Sequence, residues 1–329
     1  MVNWVEVAKK QLVHRLAWWS GLRPHSVDVD EAGMVISIWV PKEKLPSAGE
    51  EGRKKKKEAK RDNRVSVVLL HGFAGDGILT WVLQVAALAK HFDVYVPDLL
   101  YFGGSTSPAA DRSPAFQAEC VAAALRRLGV ERCAAVGFCY GGFVAFRMAA
   151  AHPGLVRSVV ATGTLVGMTA SAGEGILRRV GAASFADFLL PGDVAALRSL
   201  LVAGTYGKWW LPDRLLKDYL ELLIFNRRER AELLEGMMIA DEDASGHSVQ
   251  QDILLLWGEN DKIFNMKLAM SLKEQLGKKA TLRSISKAGH LVQLERPCVF
   301  SRCLREFLLR GAAAGTYTAA AAAAGVQGI

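Results

Sequence analysis

The sequence predicts an α/β fold with a mostly parallel central sheet, helices on both faces and an inserted helical cap. Three observations carry that expectation. Short continuous apolar runs alternate with helical stretches, the pattern of strands buried on both faces of a sheet. A glycine-flanked turn joins one of these runs directly to a helix. A long segment rich in aromatic residues, 165–248, interrupts the alternation. With 329 residues, 51% of them hydrophobic, one large domain with an insertion is favoured over two independent ones.

Residues 1–30 read as an N-terminal amphipathic helix. Trp4, Val5, Ala8, Leu12, Leu16 and Trp19 share one face, with Lys9, Lys10 and Arg15 opposite or flanking. Such a helix docks on the core or lies on a membrane surface. Lys9, Lys10, His14 and Arg15 interrupt its apolar character, so it is not a signal peptide.

The first part of the core spans 31–164, with strands at 35–40, 65–70, 92–98, 132–136 and 156–161. A charged loop at 45–64 separates the first two strands and reads as an extended hairpin loop. Residues 51–64 hold eight basic side chains against three acidic ones, five of the eight net positive charges. A solvated loop is the simplest reading, and contact with anionic lipid headgroups is the alternative. Aromatic residues do not interleave the run, which argues against nucleic acid as a partner.

The cap, 165–248, carries short amphipathic stretches at 177–180, 185–190, 194–202 and 211–225, punctuated by Pro191 and Pro212. Its aromatic residues include Phe185, Phe188, Trp209, Trp210, Tyr219 and Phe225. Trp209, Trp210 and Phe188, with Leu291 from the core, are the candidate substrate contacts. The second part of the core, 249–310, supplies strands at 253–257 and 280–285. Residues 311–329, rich in alanine and glycine, read as a disordered tail.

Cys120, Cys133, Cys139, Cys298 and Cys303 show neither disulfide nor metal-ligand spacing, and Cys298 and Cys303 read as buried thiols in a helix. An odd count without a secretory signal points to a reducing, cytoplasmic setting, with peripheral contact to an intracellular membrane as the alternative. No run of eighteen apolar residues is present. No metal and no cofactor is expected.

The chemistry is concentrated around Cys139. Gly137-Phe138-Cys139-Tyr140-Gly141 follows an apolar strand and opens a helix, and its spacing is that of the nucleophile elbow G-x-S-x-G with sulfur in place of oxygen. Side chains at Gly137 and Gly141 would collide with neighbouring backbone in so sharp a turn. The helix start presents free N–H groups to a developing oxyanion. A nucleophile of this kind needs a base, and the base an orienting acid. Asp261 lies three residues after the strand-terminal Gly258 and is favoured over Glu259. His290 follows the strand at 280–285. Nucleophile, acid and base thus arrive in chain order, each at a strand end.

The strand at 65–70 ends in His71-Gly72-Phe73. With the elbow and the Asp261–His290 pair, this turn makes the chain resemble the α/β-hydrolase superfamily over roughly residues 35–310. The nearest overall resemblance is to plant monoacylglycerol-lipase-like esterases. It implies that the second oxyanion donor is the backbone N–H of Phe73, beside that of Tyr140, and that the insertion covers the nucleophile. The departure is the cysteine, since most of these enzymes carry serine whereas dienelactone-hydrolase-like members use cysteine. Epoxide hydrolysis is disfavoured, because the resembled enzymes place a carboxylate at the apex. The expected activity is hydrolysis of a carboxylic ester or thioester of a moderately hydrophobic or aromatic acid. Acyl transfer is the nearest alternative. A ligand-binding receptor with little turnover is the alternative from a different class. The oligomeric state is not legible.

Overall fold

The computed structural model describes residues 2–45, 64–207, 211–241 and 249–324. Eight strands form one sheet in the order β1-β2-β4-β3-β5-β6-β9-β10. β1 (Leu22–Asp28) and β2 (Val35–Pro41) pair antiparallel, and β2 pairs antiparallel with β4 (Asp93–Pro97). From β4 onward every pairing is parallel, through β3 (Ser66–Leu70), β5 (Cys133–Phe138), β6 (Val156–Thr162), β9 (Asp252–Gly258) and β10 (Ala280–Ile285). β7 (Met168–Thr169) and β8 (Met238–Ile239) form a separate two-stranded pair between the ends of the insertion.

A parallel strand must be covered on both faces, and the sequence of β3 and β5 does this by alternation. Val68 and Leu70 of β3, with Cys133 and Ala135 of β5, point into one core cluster. Helices α4 (Pro114–Arg127) and α5 (Tyr140–Ala151) close that face with Val121, Leu125, Val144 and Met148. Val67 and Leu69, with Ala134 and Val136, point into the other. Helix α3 (Gly77–Leu88) and the last helix, α13 (Pro297–Ala324), close it with Trp81, Val85, Phe300 and Leu304. The chain leaves β3 towards β4 on one side and returns to β5 on the other. That reversal opens a crevice at the carboxyl ends of β3 and β5, where ligands bind in open α/β sheets.

The insertion folds into helices α6 (Ala170–Val180), α7 (Phe185–Leu189), α8 (Val194–Gly204), α9 (Asp213–Leu223) and α10 (Arg227–Gly236). Helix α10 was not anticipated, because its segment is strongly charged and shows no clear apolar period. It is tied down by the buried Arg230, whose guanidinium donates to the carbonyls of Tyr101 and Leu223. The remaining core helices are α11 (Met266–Leu276) and α12 (Val292–Glu295).

Several expectations are corrected. Residues 1–30 are not one helix: α1 (Trp4–Ala8), a π turn (Lys9–Val13) and α2 (His14–Trp19) precede β1. β1 tolerates Pro24 because it is an edge strand. β2 and β3 are not hairpin partners, since β4 lies between them. The charged run they flank lies, for residues 46–63, outside the described residues. The last helix continues to Ala324, past the start expected for the tail, in keeping with the high helix propensity of alanine. Cys298 is exposed at the start of that helix rather than buried. Among the described residues, no helix is long and apolar enough to cross a membrane.

Candidate active site

Cys139 occupies the turn between β5 and α5 with φ 53° and ψ −118°. A non-glycine residue held there stores strain, of order 1–3 kcal/mol, that the surroundings must over-determine. They do so by close backbone approach. A Cβ on Gly137 would lie 2.4 Å from the Gly141 carbonyl oxygen, and one on Gly141 would lie 2.4 Å from that of Leu70. The Cys139 N–H donates to the Thr162 carbonyl at 3.0 Å, and Gly142 N–H donates to the Cys139 carbonyl at 2.9 Å. The side chain is left facing the crevice.

The turn after β9 places the acid. Asp261 Oδ1 accepts from the backbone N–H groups of Ile263 and Phe264 at 2.8 and 2.9 Å, which fixes the carboxylate. Its Oδ2 lies 2.9 Å from Nδ1 of His290. Glu259, the competing acid, instead accepts from the Ser284 hydroxyl at an exposed position. His290, after β10, stacks on Phe264 with ring centroids 5.6 Å apart and leans on Phe138 at 4.8 Å. Gly163 completes the slot, since a Cβ there would lie 2.6 Å from the imidazole.

His290 and Asp261 are both buried. Burial pushes the imidazole pKa down, but the Asp261 carboxylate and the Cys139 sulfur outweigh it and raise His290 to about 10. The carboxylate takes Nδ1, which leaves Nε2 for the thiol. Sequence reasoning identified these three residues. It did not identify Gly163, Phe264 or Phe138, which shape the slot and carry no local signal of that role.

The turn after β3 forms the facing wall. His71 is wholly buried; its Nδ1 donates to the Gly72 carbonyl at 2.7 Å, and its Nε2 accepts from the Leu99 N–H at 2.9 Å. Burial pushes its pKa down to about 4. The Phe73 ring meets Tyr140 edge-on at 5.7 Å, so the two residues expected to supply oxyanion donors are neighbours. Asp76 caps α3, its carboxylate accepting from Leu79 N–H at 2.9 Å.

Cys139, His290, Phe73 and Tyr140 share a cavity of about 120 Å³. The cap contributes Phe185, Phe188, Leu200 and Tyr219, and Leu291 lies beside the histidine. Phe188 and Leu291 therefore stand where substrate contacts were expected, whereas Trp209 and Trp210 lie outside the described residues. Phe225 is turned to solvent. Tyr219 has a larger part than its sequence suggested, because its hydroxyl donates to the Ala74 carbonyl at 2.9 Å and ties the cap to the turn after β3. Among the described residues, no group of three or more His, Cys, Asp or Glu side chains is placed to hold a metal ion.

The chain has the α/β-hydrolase fold: the sheet order, the elbow and the inserted cap define that class, and residues 65–190 match the family described as alpha/beta hydrolase fold. The chain is 26% identical to 2-hydroxymuconate semialdehyde hydrolase of Pseudomonas sp. (strain CF600), over 75% of this chain and 88% of that protein. It is 22% identical to epoxide hydrolase 3 of Xenopus tropicalis, over 74% of this chain and 71% of that one. Among solved structures, a bacterial membrane phospholipase A superposes with a TM-score of 0.73 at 24% identity, covering 94% of this chain and 91% of its own.

Proposed function

We propose that the protein hydrolyses a carboxylic ester or thioester of a moderately hydrophobic or aromatic acid through Cys139, His290 and Asp261. The observation that carries this reading is the meeting of a strained cysteine elbow with a buried histidine–carboxylate pair in one apolar cavity. The Cys139 thiol gives its proton to His290 Nε2, and the sulfur attacks the acyl carbonyl carbon. The carbonyl electron pair moves to oxygen, stabilised by the Phe73 and Tyr140 backbone N–H groups. Collapse of this intermediate breaks the bond to the leaving group, which takes the proton from His290 and departs. A thioester on Cys139 remains. Water then gives a proton to His290 and attacks that thioester, and collapse returns sulfur and proton to their starting state.

The two half-reactions ask different things of His290. In the free enzyme the sulfur helps raise the imidazole to about 10 and so favours imidazolium beside it. Acylation removes any charge from the sulfur and with it one raising contribution. The imidazole then loses its proton more readily, as a base for deacylation must. An esterase of the monoacylglycerol-lipase-like kind fits this chemistry and an uncharged acyl group fits the lining.

A second reading comes from the muconate semialdehyde hydrolase relative, whose name denotes a carboxylate-bearing oxo acid. The described residues lining the cavity include no lysine or arginine to receive a carboxylate. That lining favours the uncharged ester. The epoxide hydrolase relatives carry less weight here, because the elbow holds a thiol. A panel of acetyl, hexanoyl, decanoyl and benzoyl esters, with an oxo-dienoic acid alongside, tests the proposal. Steady acid release from esters by wild type and none by Cys139→Ala is expected. Full activity in Cys139→Ala would overturn the nucleophile, and stoichiometric binding without release would favour a receptor.

A further inference from the structure

The segment ahead of β1 turns its small side chains inward and its largest apolar ones outward. Ala17 is wholly buried, Val13 packs against the core, and His14 meets Trp39 edge-on at 5.1 Å. On the other side Trp4, Leu12, Trp18 and Trp19 are 56%, 69%, 52% and 70% exposed. Trp4, Leu12 and Trp19 belong to the stripe that amphipathic spacing marks as the apolar face, so that face looks away from the core. Large apolar side chains exposed along one face in this way mark an interaction surface.

The chemistry of the face selects its partner. Residues 2–23 hold Lys9, Lys10, Arg15 and Arg23 against Glu6 alone. Lys9 pairs with Asp76 and Lys10 with Glu6, and the two arginines stand over indoles. The Arg23 guanidinium lies 4.0 Å from the Trp18 ring centroid and that of Arg15 lies 5.7 Å from Trp19. Indoles with guanidinium groups beside them suit the boundary between acyl chains and anionic headgroups.

The segment is also attached to α9 and to the turn after β3. Trp4 N–H donates to Asp218 Oδ2 at 2.8 Å, and Asn3 Nδ2 donates to the Asp218 carbonyl at 2.8 Å, both on α9. Lys9 holds Asp76, the cap of α3. A second cavity, lined by Glu6, Lys9, Gly75 and Arg230, shares Leu79 and Tyr219 with the catalytic one.

We propose that this segment docks the protein on anionic lipid bilayers. Trp4, Leu12 and Trp19 enter the headgroup–acyl boundary, Arg15 and Arg23 meet the headgroups, and α9, which lines the catalytic cavity through Tyr219, is set close to the membrane. The test is sedimentation of the full chain with phosphatidylcholine vesicles, with and without phosphatidylserine. Wild type should pellet with the phosphatidylserine vesicles, less with phosphatidylcholine alone and less as salt rises. Trp4→Ser/Leu12→Ser/Trp19→Ser should weaken binding at least tenfold while soluble-ester turnover stays at the wild-type level.

Wild type remaining in the supernatant overturns the proposal. Unchanged binding by the triple variant also overturns it and transfers the role to the basic run at 51–64. So does a wild-type dimer that the triple variant converts to monomer, since the face would then join two copies of the chain. If the triple variant does not fold, quenching of wild-type indole fluorescence by brominated phosphatidylserine vesicles decides: quenching supports the proposal and its absence overturns it.

Discussion

Two buried histidines flank Cys139, one after β3 and one after β10, and their surroundings drive them in opposite directions. His71 has only backbone partners, the Gly72 carbonyl and the Leu99 N–H, and burial takes it down to about 4. His290 faces the Asp261 carboxylate and the Cys139 sulfur, which overcome the same burial and take it up to about 10. Desolvation alone favours the neutral ring. The carboxylate at 2.9 Å, with the sulfur beside it, decides which histidine can carry charge and which is a rigid strut.

The largest effects belong to the His290 side. Cys139→Ala should lower kcat/KM for a soluble ester by on the order of 10⁵-fold or more, as expected where nucleophile and base act as one unit. Asp261→Asn should cost about 10⁴-fold, because the amide cannot hold the same imidazole tautomer or its charge. Stopped-time hydrolysis of a chromogenic ester measures both. A loss below about tenfold in Asp261→Asn would erase the contrast between the two histidines. Cys139→Ser sharpens it: with the sulfur replaced, His290 should titrate below its wild-type value, read directly from its ring resonances by NMR.

Stability against pH separates the same two regions. For His71 the folded pKa, about 4, lies below the ordinary 6.5. Its contribution is therefore complete above 6.5 and lost as pH falls through about 4. For His290 the folded pKa, about 10, lies above 6.5, so its contribution is complete below 6.5 and lost as pH rises through about 10. Melting temperatures across this range should fall at both ends. Asp261→Asn should shrink only the alkaline fall. His71→Leu should leave the Leu99 N–H and the Gly72 carbonyl without the ring, costing about 2–4 kcal/mol at neutral pH. Denaturant melts measure it, and His71→Asn should recover part of the loss.

The elbow was legible because its determinants are local. Gly137, Cys139 and Gly141 fall within five residues, between the end of β5 and the start of α5, even though the backbone that excludes a side chain at Gly141 comes from Leu70 and His71. Asp261 and His290 were legible as strand-end residues in the right chain order. What the sequence hid was non-local. Nothing in residues 35–70 signals that β4 inserts between β2 and β3. Amphipathic spacing identified the stripe of Trp4, Leu12 and Trp19 but not that it faces outward, since periodicity fixes a face and not its partner. Likewise the aromatic content of the cap did not distinguish Phe188, which lines the cavity, from Phe225, which is exposed.

Thiol reactivity gives a further division. Burial raises Cys120 and Cys133 to about 12, so both should resist alkylation in the folded protein. Cys298 is exposed and should label, but without consequence for turnover. Inactivation by iodoacetamide should follow Cys139 alone, and His290→Ala should slow that reaction while leaving Cys298 unaffected. Peptide mapping against residual activity measures this. Inactivation that followed Cys298 would detach the thiol chemistry from the elbow.

The smallest expected effect lies where the cap meets the His71 turn. Tyr219, on α9, donates its hydroxyl to the Ala74 carbonyl at 2.9 Å and also lines the cavity. One neutral hydrogen bond contributes about 0.5–1.5 kcal/mol net, so Tyr219→Phe should change stability by no more than that. Its kinetic effect should be a different one. The bond holds the cap against the turn that carries the Phe73 donor, so its loss should loosen the cavity. KM for the larger acyl groups should then change, while the shortest ester, which makes the least contact with the cap, should react almost as before. A fall in kcat of equal size for every acyl length would mean that Tyr219 acts on the oxyanion geometry itself. In that case the His71 turn would no longer be the rigid wall that sets it apart from the His290 turn.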